Sequence, residues 1–207
     1  MAKDNFLDLN FQESRLLEQA DSFPSSGKER ISKALLVSRR EHEGQTRHSG
    51  ESYVIHPIRA ALILLEELEI RDADSVCALL LHDVIEDGSL SYQGVREAFG
   101  PQVERLVKGL TRERPENETE EQKRENKLKH IKELSQESRE IQLLKLCDVL
   151  DNARSWKYIP ESNPNFEKIP RWKNELKNYL PLAKKVNSKL FLMLQKYIRV
   201  GKESFPQ

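Results

Sequence analysis

One property constrains this chain more than any other: helical spacing of apolar residues, carried almost from end to end. They recur at three- and four-residue steps over roughly 8–20, 28–42, 57–70, 73–86, 91–99, 101–111, 138–156 and 170–199, the spacing that lines one face of a helix. Nowhere does sustained apolar–polar alternation run between turn residues, so no strand is predicted. The expected fold class is all-α, a single compact helical domain of about eight to ten helices over residues 1–207. Breaks fall at Pro24 to Gly27, at Glu43 to Tyr53, at Asp87-Gly88, at Gly100-Pro101 and between Pro160 and Pro170. None is long enough to be a domain linker.

Charge narrows the partners. Lys and Arg number 34 and Asp and Glu number 34, so the chain has no polybasic footprint for a nucleic acid or an anionic membrane. An anionic ligand would have to meet positive charge gathered locally. Two separated cysteines, Cys77 and Cys147, form neither a disulfide framework nor a zinc knuckle. With no apolar h-region at the N-terminus and no apolar run approaching about 18 residues, a cytoplasmic protein is expected. Residues 111–140 are mostly charged and read as a solvated helix flanked by loops, with a lid over a ligand as the second reading.

Near the C-terminus, Ile169, Trp172, Leu176, Tyr179, Ala183, Val186, Leu190, Met193 and Tyr197 form a heptad-like seam. Packing onto the rest of the domain, with a kink at Pro181, is preferred over a homodimeric coiled coil.

Three segments break the apolar pattern with residues that carry chemistry. In LLLHDVIEDG, residues 79–88, an apolar helix turns abruptly acidic, and helical spacing would set His82 over Glu86 and Asp83 over Asp87. An imidazole and carboxylates against leucines are costly unless compensated, and a metal ion is the natural compensator. In LLKLCDVLDNARSW, Asp148 falls in register with Ile141 and Leu144, so a carboxylate occupies the stripe that faces the core. Lys145 stands one turn earlier, able to pair with Asp148 or with a bound phosphate. In RHSGESYVIHP, residues 47–57, His56 precedes Pro57 at a predicted helix start, while Arg47, His48 and Ser49 supply donors for a phosphorylated ligand. His42, among charged neighbours, reads as a packing or capping residue. Two imidazoles and two carboxylates (His56, His82, Asp83, Asp148) suit Mn²⁺, Fe²⁺ or Zn²⁺ better than Mg²⁺ or Ca²⁺, which prefer all-oxygen shells.

Together with VKGLTRE at 107–113 and ELKNYLPLAKKVN at 175–187, these segments resemble the hydrolase half of the RelA/SpoT proteins over roughly residues 28–190. Given the length, they are similar to the stand-alone small alarmone hydrolases of the HD superfamily. The resemblance implies an HD-domain helical fold and one Mn²⁺ per site, held by His56, His82, Asp83 and Asp148. Its acidic catalytic pair falls on Glu86 and Asp87, and its nucleotide contacts fall on Arg47, His48, Ser49, Asn152 and Ser155. The implied reaction is removal of the 3′-pyrophosphate of (p)ppGpp, giving GDP or GTP and pyrophosphate.

The chain departs from the family at His48, Val149 and Asp151, which bear on base recognition and leave the metal ligands intact. The alternatives are an HD-type phosphatase acting on NADPH, a dNTP or an adenosine alarmone, and a non-catalytic alarmone sensor. Pairing with an alarmone synthetase is the setting such a hydrolase would have.

Overall fold

The computed structural model describes residues 5–86, 88–111 and 118–199. The fold is all-α, as expected, and among the described residues strand-like pairing is limited to one isolated bridge between Thr46 and Ser52. The chain divides into two compact units, residues 1–108 and 109–207. Among the described residues no helix is long and apolar enough to cross a membrane.

The first unit opens with a short 3₁₀ turn, Asn5–Leu7, and continues through α1 (Leu9–Ala20), α2 (Ser25–Glu41), α3 (Ile55–Leu62), α4 (Ala73–Leu81) and α5 (Tyr92–Phe99). α6 (Pro101–Leu110) carries the chain toward the second unit. Short polar side chains start several of these helices: Asp8, Asp72 and Ser91 accept from the backbone N–H of Phe11, Ser75 and Gly94, donors that a helix cannot satisfy internally. α2 packs on α4, α1 on α3, and α3 on α4. Leu16, Ile31, Leu35, Ile58, Leu79 and Leu80 fill the space between them.

Two helix ends differ from expectation, and both lie beside the chemistry. The helix expected to open at Pro57 begins at Ile55, which puts His56 inside its first turn, and it finishes in a π-helical turn, Ile63–Glu67. The helix expected to run through residue 86 stops at Leu81. His82 turns back on the helix, its Nδ1 2.7 Å from the Leu79 carbonyl, and Asp83 is drawn aside to the Tyr53 hydroxyl. Such side-chain bonds compete with continuation of the helix. His82 and Glu86 therefore lie in turns rather than on one helical column.

The second unit holds α7 (Glu120–Leu134), α8 (Arg139–Ser155), α9 (Ile169–Leu176), α10 (Leu180–Val186) and α11 (Ser188–Arg199). α7 is exposed along most of its described side chains and starts in a capping box between Thr119 and Gln122. α8 is the unit's central helix: Ile141, Leu144, Leu146, Cys147, Leu150 and Ala153 are buried, and α10 and α11 pack against it.

The C-terminal seam is interrupted twice, once by a 3₁₀ turn at Lys177–Tyr179 just ahead of Pro181 and once at Asn187. Asn187 is extended, and its side chain accepts from the N–H groups of Lys189 and Leu190 to cap α11. That break shifts the register. Leu190 and Leu194 are buried, while Met193 and Tyr197 are half-buried. Trp172 lies against Trp156, ring centroids 6.1 Å apart, in the packing role expected of it.

Candidate metal centre

The first unit gathers three side chains of the ligand type. α3 supplies His56 in its first turn, and the end of α4 supplies His82 and Asp83. Both imidazoles are buried, with ring centroids 5.1 Å apart and an edge-on approach. His56 Nε2 is 3.8 Å from one Asp83 oxygen, and His82 Nε2 is 3.3 Å from the other. The Leu79 carbonyl can only accept, so His82 Nδ1 donates to it at 2.7 Å, and in the neutral ring Nε2 keeps the lone pair. That lone pair faces a carboxylate oxygen, which brings two acceptors together in a nearly dry place. A shared proton or a cation stabilises such an approach, and two imidazole nitrogens with a carboxylate suit a divalent transition metal. The donor set of this unit therefore fits the implied ion.

A hairpin-like loop walls this cluster. Gly50, with φ +92°, makes the turn that closes Arg47 to Glu51, and Tyr53 N–H donates to Gln45 O. Tyr53 O–H donates to Asp83 at 2.8 Å. Its ring stacks on His42 at 4.6 Å, and the Arg47 guanidinium lies 5.4 Å from its centroid. His42 is buried, with Nδ1 2.9 Å from Gln45, in the packing role expected of it. Arg47 and Ser49 are half-buried and His48 is exposed. Glu51 is buried beside Arg59, whose guanidinium lies over Phe6.

Beyond Asp83, Glu86 is half-buried in the turn, and Asp87 lies outside the described residues. Glu41, at the end of α2, accepts from both the N–H and the hydroxyl of Ser89, each at 2.8 Å. The bond from the Ser89 backbone is the main reason its carboxyl titrates below the ordinary glutamate range.

In the second unit, α8 presents Asp148 as a buried carboxylate, 5% exposed. Lys145 Nζ is 2.9 Å from it and also donates to Leu110 O, and Asn152 donates to its other oxygen at 2.6 Å. Both oxygens are thus held by the helix that carries them. Ser155 donates back to the Asn152 carbonyl at 2.8 Å, and Asp151 is fully buried.

Tyr53, Glu41 and Glu51 are not marked out by the sequence. Tyr53 stands inside RHSGESYVIHP, where basic and ligating types drew the attention. Glu41 falls in a charged run with nothing local to distinguish it.

The HD domain family profile matches residues 34–186. Escherichia coli K12 has a bifunctional (p)ppGpp synthase/hydrolase, SpoT, that is 40% identical over 134 residues, covering 64% of this chain and 19% of that protein. A guanosine-3′,5′-bis(diphosphate) 3′-pyrophosphohydrolase of Aquifex aeolicus is 38% identical over 156 residues, 75% of this chain and 21% of its own length. The chain spans about a fifth of the length of these curated relatives. A solved structure of a metazoan ortholog of SpoT, described as hydrolyzing ppGpp, matches with a TM-score of 0.75 and 27% identity, covering 86% of this chain and 97% of its own.

Proposed function

This chain belongs to the HD domain family, and on that premise we propose that it removes the 3′-pyrophosphate of (p)ppGpp, yielding GDP or GTP and pyrophosphate, as one hydrolase domain over residues 1–207. The carrying observation is the convergence of two buried imidazoles, His56 and His82, on the half-buried Asp83 carboxylate. Asp148 is the fourth ligand in this reading, and its burial on the core stripe of α8 supports that role. Manganese, one ion per site, is the metal that the family resemblance implies, and a mixed N/O shell admits it along with Fe²⁺ and Zn²⁺. When bound, such an ion lowers the pKa of a water molecule and polarises the phosphoryl group.

The rest falls to the protein. Water oxygen joins the phosphorus of the departing pyrophosphate, the bond from that phosphorus to the 3′ oxygen breaks, and a proton must reach the 3′ oxygen. Glu86 and Asp87 hold the water and move that proton. Lys145 and Asn152 orient Asp148. Arg47, His48 and Ser49 bind the nucleoside end, and Asn152 and Ser155 on α8 are further nucleotide contacts in this reading. A cytoplasmic setting beside an enzyme that makes the same nucleotide goes with this reading. For a homodimer, α11 offers the exposed Leu192.

The test is pyrophosphate release from ppGpp with Mn²⁺, run beside NADPH, dGTP and an adenosine alarmone. His82→Ala and Asp148→Ala should each lower turnover by at least about a thousandfold, the scale of lost transition-state charge stabilisation. Undiminished turnover in either variant refutes the ligand assignment. Binding of ppGpp without any product would point to a sensor.

A further inference from the structure

We infer that Glu41 and Tyr53, neither of which enters the machinery proposed above, are positioning residues that fix the two ends of the turn running from Asp83 to Ser89. The inference rests on the metal-site reading and deepens it. That turn carries Asp83 at its start and Glu86 in its middle, yet no regular helix holds it, since α4 ends at Leu81. Its geometry must come from what grips it.

At the near end, Tyr53 donates 2.8 Å to Asp83 Oδ2, the same oxygen that lies 3.8 Å from His56 Nε2. The phenol is itself fixed, stacked on buried His42 and facing the Arg47 guanidinium. A donor to one carboxylate oxygen fixes the rotation of the whole group and so holds the other oxygen toward His82, the role that outer hydrogen bonds play around ligating carboxylates.

At the far end, Glu41 Oε2 accepts two bonds from Ser89, while the Arg40 guanidinium donates to the other oxygen at 2.8 Å. The Glu41 side chain is 5% exposed. Gly88 permits the approach: a Cβ there would lie 2.6 Å from the Val84 carbonyl and 3.0 Å from Glu41 Cβ. The two grips come from α2 and the loop after it, and they bracket the acid-bearing turn.

The grips predict separable defects. Tyr53→Phe keeps the stacked ring and deletes only the hydroxyl, so Mn²⁺ binding, measured by titration calorimetry without substrate, should weaken about ten- to a hundredfold. The apo melting temperature should move little. Glu41→Ala releases the far end, so kcat should fall at least about tenfold through misplacement of Glu86, with Mn²⁺ affinity and KM near wild type. Glu41→Gln keeps an acceptor for Ser89 and should recover most of that kcat.

Wild-type Mn²⁺ affinity in Tyr53→Phe, wild-type kcat in Glu41→Ala, or metal loss that merely tracks unfolding of the apo protein would each overturn the inference. Two controls separate it from its foundation: a wild-type protein that takes up no Mn²⁺ sinks the metal-site reading, and a Glu86→Gln variant with full turnover sinks the role given to Glu86, and the inference falls with either.

Discussion

Cys77 and Asp148 are ionisable groups on apolar helix faces, and their surroundings differ. Cys77 sits inside α4 with no exposure, and desolvation pushes its thiol up to about 12. A raised folded pKa stabilises fully below the unfolded value, about 8.5, and that stability is lost as pH climbs toward 12. Between these limits the unfolded thiol ionises and the folded one does not, at about 1.4 kcal/mol per pH unit. The melting temperature should therefore fall more between pH 8 and pH 10 in the wild type than in Cys77→Ala, and equal falls would show that the thiol escapes its burial. Asp148 instead has Lys145 and Asn152 against its two oxygens. Its misplacement on an apolar stripe was legible from spacing alone, because Asp is almost never fully buried without a partner. Tyr53 was not legible, because a tyrosine in a loop announces nothing until its hydroxyl is seen to reach Asp83.

Helices were legible in their middles and poorly legible at their ends. Period sets the middle, whereas side-chain bonds set the ends, as His82 on Leu79 and Asn187 ahead of α11 illustrate. Packing between helices adds a constraint that periodicity does not carry. A Cβ on Gly109 of α6 would come within 2.5 Å of Ile141 Cδ1 on α8, with two further atoms of that side chain at 3.0 and 3.1 Å. One rotation of Ile141 cannot clear all three. Gly109→Ala should destabilise the protein by about 1–3 kcal/mol despite its better helix propensity. Ile141→Val removes the nearest atom, so in chemical denaturation the double variant should be more stable than the sum of the single changes predicts.

At the scale of the molecule, the proposed ligands are far apart in the chain, His56, His82 and Asp83 in its first half and Asp148 some sixty residues later. Metal binding should then stabilise the chain as a whole. At a free Mn²⁺ concentration a hundredfold above Kd the gain is about 2.7 kcal/mol, worth roughly 5–10 °C for a chain of this size. Chelation should reverse it, and Asp148→Ala should abolish most of it. A rise that survives in Asp148→Ala would confine the ion to the first unit.

The bond from His82 Nδ1 to the Leu79 carbonyl makes the proposed ligand nitrogen, Nε2, a product of the main chain. A carbonyl cannot be mutated. Replacing the Leu79 side chain leaves the tautomer as it was, and only a change in the path of α4 itself would turn the ring's lone pair away. The chemical identity of one ligand is in this way inherited from the helix rather than from a neighbouring residue.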